Sequence, residues 1–173
     1  MGRYIVLTLA ACASLVADAP QDTAIEKEVK RLAIPETLMP KGKQPLFIVR
    51  AEGVQIYEAD AKLAWEFQAP KATLRDYRTG KEVGSHSKGP VWVDAKGSKL
   101  TGKGIGKEPA PNPEAIPWLL LEVTNANGGQ YAKVTHIQRV DTWAGLKPVA
   151  GPTKVGEIIE VPYQATYIFW GER

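Results

Sequence analysis

The sequence predicts an all-β domain, an antiparallel β-sandwich or barrel preceded by one short helix. Three observations carry that expectation. From Phe47 to Trp170 apolar residues recur with a period of two in many short runs, as strands require when successive side chains point to opposite faces. Punctuation is heavy, with 13 prolines and 16 glycines in 173 residues, which favours short segments joined by turns. No strand pattern is followed by a crossover helix, so a parallel α/β sheet is excluded.

Residues 1–19 read as a secretory leader. Arg3 gives the positive start, Tyr4 to Val16 is apolar or small, and Ala17-Asp18-Ala19 offers a small-x-small cleavage pattern. The apolar run is short of the ~20 residues a membrane-spanning helix needs. A second reading lies within it: Leu9-Ala10-Ala11-Cys12 matches a lipobox, with Cys12 as the acylated residue. The expected location is therefore secreted or periplasmic, or alternatively lipid-anchored in the envelope. Cys12 is the only cysteine, so the mature domain has neither disulfide nor thiol chemistry.

Residues 20–45 read as an N-terminal helix and a proline-rich linker. Asp22-Thr23 caps a helix running to about Leu32, with Ile25, Val29 and Leu32 on one side. Pro35, Pro40 and Pro45 follow. Residues 46–173 then form a single β domain. Its candidate strands are Phe47 to Ala51, Val54 to Tyr57, Leu63 to Ala69, Ala72 to Tyr77 and Val91 to Ala95, with turns at Glu52-Gly53 and Ala69-Pro70 among others. Beyond a proline-rich loop at Glu108 to Pro113, Trp118 to Val123 is continuously apolar and reads as buried on both faces. Tyr131 to Val140, Ile158 to Val161 and Tyr163 to Trp170 complete the set, and in the last Tyr163, Ala165, Tyr167 and Phe169 share a face.

Chemistry is sparse. The net charge of +3 comes from basic residues spread through the chain, without the clustered face that nucleic acid demands. Gly102, Gly104 and Gly106 mimic a phosphate loop, but Pro109, Pro111 and Pro113 deny the helix that must follow. A strand end or bulge fits them better. His86 and His136, with Asp94, Asp141 or Glu66, show no metal-ligand spacing. Ser85 and Ser87 flank His86 but point away from it on a strand, so no catalytic triad can be assigned.

The expected binding residues are His86, Trp92, His136, Gln138 and Trp143. His136 and Gln138 share a strand face with Val134 and Val140; if that face is core they either bond to each other or orient a ligand. Trp92 turns outward if Val91 and Val93 face inward, and Trp143 lies in the turn Asp141 to Gly145. Exposed rings of this kind stack on sugars or dock proteins.

Five motifs carry a resemblance: Gly53-Val54-Gln55-Ile56-Tyr57, Trp65 to Leu74, Gly84 to Trp92, Ala115 to Leu121 and Val134 to Val140. Over roughly residues 45–170 they resemble the exported bacterial and fungal proteins grouped as domain of unknown function 3455. The resemblance implies no established activity, so no catalytic residue, cofactor or partner carries over. Ala59 stands where that family usually has cysteine, and His136 where it more often has tyrosine. A malate dehydrogenase label borne by some relatives finds no dinucleotide-binding unit here. The expected function is a non-catalytic module for a small molecule or glycan, with no cofactor, no catalytic residue and no membrane contact beyond Cys12. The alternatives are a metal-assisted or hydrolytic enzyme using His86, and a structural or stress-associated envelope protein.

Overall fold

The computed structural model describes residues 23–172; the leader and Cys12 lie outside them. Eight strands in sequence order close into an antiparallel up-and-down barrel. They are β1 (Gln44–Ala59), β2 (Trp65–Asp76), β3 (Glu82–Ser87), β4 (Val91–Asp94), β5 (Lys99–Glu108), β6 (Trp118–Ala126), β7 (Val134–Ala144) and β8 (Ile158–Gly171). Pairing of β8 with β1, as in Val49 with Tyr167 and Ala51 with Ala165, closes the ring. Of sandwich and barrel, the barrel is correct.

The barrel has an apolar inside. Val49, Ala51, Leu74, Trp92, Leu100, Leu121, Ile137 and the β8 row Tyr163, Ala165, Tyr167 and Phe169 form one core. Outward positions on β1, β2 and β8 carry charge, with ion pairs Arg75–Glu52 at 3.5 Å and Lys71–Glu160 at 3.9 Å. That polarity is the reverse of a membrane-spanning barrel, which is apolar outside. No helix among the described residues is long and apolar enough to cross a membrane.

A second core lies outside the barrel wall. Helix α1 (Ala24–Arg31) starts at Thr23 through a capping box with Glu26 and buries Val29, as the i, i+4 apolar spacing requires. The proline-rich stretch that follows is no free spacer: Leu38 is 1% exposed. Val29 and Leu38 pack over Ile48, Trp118, Leu120, Val140, Ile168 and Trp170. This strap explains why Trp118 to Leu121 is apolar on both faces.

Two expected turns are strand interior. Gly53 sits in β1 opposite Ala72, where a Cβ would lie 2.1 Å from the Lys71 carbonyl oxygen and 2.6 Å from the Ala72 Cα. Glycine here permits close approach of two backbones. Pro70 is tolerated because β2 pairs with β3 only over Ala72–Arg75, leaving no ladder partner on that side. Leu63, expected in a strand, sits in the β1–β2 turn with φ 57°. Gly102, Gly104 and Gly106 lie in β5 at two bulges, as the strand-or-bulge reading has it.

Gly53→Ala should destabilise the domain by about 1–3 kcal/mol, the usual cost of overpacking. Gly104→Ala, where an added Cβ meets nothing within 4 Å, should stay within about 0.5 kcal/mol. Equal urea midpoints for the two variants would refute this account of Gly53.

Candidate functional site

The barrel's two ends differ. At the end where β1 begins, Phe47 stacks on Phe169 with centroids 4.4 Å apart and Tyr131 closes over both. At the other end the loop after β7 folds inward. Tyr57 donates to the Gly145 carbonyl at 2.7 Å, Thr142 to the Ile116 carbonyl at 2.6 Å, and the Trp65 indole to the Ala150 carbonyl at 2.9 Å.

That plug leaves a notch. Strands β3 and β4 are short, so β2 runs beyond β3 and β5 runs beyond β4, which pairs with it only over Lys99–Thr101. In the notch, above the β3–β4 hairpin, a cavity of about 170 Å³ enters the barrel. Phe67, Pro70 and Pro90 stand at it with Leu119 and Leu121, and His86, Trp92, Arg139 and Tyr167 come from the barrel interior. An eight-stranded barrel has interior room for side chains or for one small ligand.

The register assembles the polar part. His86 pairs with Trp92 across the β3–β4 hairpin, so both side chains point inward and their rings stack at 4.3 Å and 13°. Tyr167 meets both edge-on, at 5.2 Å and 5.5 Å. Arg139 pairs with Tyr167 and with Leu119, placing its guanidinium in the same layer. Its Nε and Nη2 donate to the Pro117 carbonyl at 3.2 Å and 2.8 Å.

Burial pushes the His86 imidazole down to about 4, against the pull of its bond to Val91, and the Arg139 charge adds to the depression. The ring is therefore neutral near pH 7. Its Nδ1 lies 2.9 Å from the Val91 carbonyl oxygen. A carbonyl only accepts, so Nδ1 carries the proton and Nε2 the lone pair. Burial likewise raises Tyr167, while the Arg139 guanidinium pulls it down. Burial raises Tyr163 too, reinforced by Tyr167. Their hydroxyls are close enough to influence each other, yet the Tyr163 hydroxyl has no well-formed hydrogen bond. The Trp92 indole nitrogen and Gln55 Nε2 are also buried without a partner.

Of the five expected binding residues the structure brings two together. His86 and Trp92 meet in the cavity. Trp92 is 1% exposed, so the outward orientation is corrected: its flanking valines are only half-buried. The other three lie apart. Gln138 is buried on the outer wall under the strap, donating to the Leu38 carbonyl at 2.6 Å and accepting from the Trp170 indole at 2.8 Å. It does not bond to His136, which is half-buried and whose Nδ1 lies 3.0 Å from the Thr135 hydroxyl. Trp143 lies within β7 and not in a turn; a bulge after Val140 and a positive φ at Asp141 accompany its exposed, outward position.

Arg139 and Tyr167 were not singled out from sequence. The one signal for Arg139 is its alternation with Gln138 and Val140 beside Ile137. Among the described residues no three His, Cys, Asp or Glu side chains converge as a metal set would, and His86 and His136 lie on opposite faces of the wall.

A family model described as Protein of unknown function (DUF3455) matches residues 40–171. The chain belongs to that family. No curated protein and no solved structure matches it. The DUF3455 match begins within the strap and ends on β8, so the family domain comprises the whole barrel, cavity included.

Proposed function

We propose that this DUF3455 domain is a non-catalytic binding module that takes one small molecule into the notch of its barrel. A single observation carries the reading: the wall opens on a cavity that combines an aromatic stack, apolar walls and a guanidinium, the combination by which ligand sites hold and orient a guest. No serine, threonine, cysteine, lysine, aspartate or glutamate lines it. His86 thus has neither a nucleophile to activate nor a carboxylate to orient it, which weighs against the enzyme alternative. At about 170 Å³ the space suits a compact molecule, or one end of a larger one, better than a glycan chain. Trp143, the exposed ring that favoured glycans, stands outside it. The setting is the one the leader pattern implies: secreted, periplasmic, or anchored through Cys12.

A thermal-shift screen of compact neutral, anionic and cationic molecules tests the reading. Some should raise the wild-type melting temperature, and a saturating ligand at a hundredfold its Kd adds about 2.7 kcal/mol. Leu121→Trp, which fills the cavity from β6, should abolish every such shift. Shifts that persist in Leu121→Trp, or none with the wild-type protein, would remove the cavity from the function.

A further inference from the structure

The polar groups of the cavity are unbalanced, and the imbalance has a sign. Arg139 belongs to none of the ion pairs among the described residues, and no acidic residue lines the cavity. Its bonds to the Pro117 carbonyl use two of the guanidinium's five N–H groups, and the Tyr167 hydroxyl takes a further contact, which leaves N–H groups over for a guest. The buried polar atoms without partners in the same interior are the indole nitrogen of Trp92 and the amide nitrogen of Gln55, both donors, and the Tyr163 hydroxyl. Trp92, at 1% exposure, lines the cavity itself. His86 is neutral there and adds no charge. The His86 Nε2 lone pair, the Tyr167 hydroxyl and the Gln68 amide oxygen are neutral acceptors at the cavity; what the site lacks is a negative charge.

Resting on the binding reading above, we propose that the ligand is a small organic anion whose carboxylate pairs with Arg139 and whose apolar body lies against Trp92, Phe67, Leu119 and Leu121. The guanidinium is a planar fork that matches a carboxylate with two parallel N–H···O bonds. A half-buried charge near aromatic walls meets less solvent screening than one on the surface. The apolar walls select an organic acid over inorganic phosphate, whose oxygens on every side need polar partners. The direction of selectivity follows. An amide of the same shape presents one acceptor and two N–H groups to a site already rich in donors, and an amine presents a second positive charge.

Calorimetric titration of the full domain at low ionic strength tests the ligand class, with benzoate and hexanoate as acids, benzamide and hexanamide as neutral partners, benzylamine as the cation and inorganic phosphate as the bare anion. The acids should bind at least about tenfold more tightly than their amides, and benzylamine and phosphate should not bind. Arg139→Gln should erase the preference for acid over amide while leaving amide binding in place. Should Arg139→Gln fail to fold, salt answers the same question in the wild-type protein: 0.5 M chloride, an anion that competes directly for the guanidinium and does not merely screen it, should weaken the acids and spare the amides. Equal affinities of acid and amide, a preference that survives Arg139→Gln, a preference insensitive to salt, or tight phosphate binding would each overturn the assignment of an organic acid while leaving the binding module standing. Failure of every probe to bind would overturn the organic acid and count against the binding reading as well.

Discussion

Between pH 6.5 and about pH 4 the domain should lose about 3 kcal/mol of stability through one side chain, His86, whose ordinary value of 6.5 is depressed to about 4 in the fold. In the unfolded chain the imidazole takes up a proton as pH falls through 6.5. In the folded barrel it resists, because protonation would put a cation into the buried stack with Trp92 and beside Arg139. Within that window the unfolded state binds more protons, so stability falls as pH falls. The contribution is fully present above pH 6.5 and gone below about 4. Carboxylates held low by hydrogen bonds, such as Asp76 and Glu157, weaken the fold only below their ordinary values of 3.8 and 4.5. His136 is lowered too, by burial and by Lys43, but it is partly exposed and its share is smaller. Urea unfolding at pH 7, 5.5 and 4.5 checks this. His86→Gln should flatten most of the slope across those points and His136→Gln little of it; parallel curves for wild type and His86→Gln would refute the assignment.

The fold was legible where one face alone decides the pattern. On β8 the row Tyr163, Ala165, Tyr167 and Phe169 points inward at every position, and all four are buried, as their alternation requires. Closure was not legible. Barrel and sandwich share the same period of two, and what separates them is pairing between residues more than a hundred positions apart, such as Val49 with Tyr167. The number of strands was hidden for another reason. Glu52-Gly53 and Ala69-Pro70 carry turn chemistry, but Gly53 serves backbone contact and Pro70 an unpaired stretch of β2.

The site was half legible. His86 and Trp92 were singled out for their chemistry, and the hairpin register made them neighbours. Arg139 was hidden because β7 has a core on each side. Gln138 and Val140 alternate as core residues do and are fully buried, but in the outer core under the strap. That leaves Arg139, with Ile137, on the inward face. A strand buried on both sides gives no clue from periodicity as to which side is the barrel, and the bulge between Val134 and His136 shifts the phase further.

Gln138→Leu should cost about 4 kcal/mol, more than any loss of apolar contact at that position, and should release the strap. Leucine is close in size, so the cavity term is small. What changes is the polar pairing. The Leu38 carbonyl, 2.6 Å from the amide nitrogen, and the Trp170 indole nitrogen, 2.8 Å from the amide oxygen, would both be stranded between strap and wall. Each orphaned buried group costs about 1–3 kcal/mol. Gln138→Glu separates the two bonds. A carboxylate still accepts from Trp170 but turns an oxygen on the Leu38 carbonyl, so it should loosen the strap while the wall keeps its partner. Limited proteolysis reads the strap directly: cleavage within residues 32–43 should accelerate in both variants, with the barrel fragment persisting longer in Gln138→Glu. The outer core of Ile48, Trp118, Leu120, Val140 and Ile168 would then face water, so a fluorescent apolar dye should bind Gln138→Leu and not the wild type. Wild-type cleavage kinetics in both variants would show that the strap is held by its apolar contacts alone, and that Gln138 is a passenger in the wall.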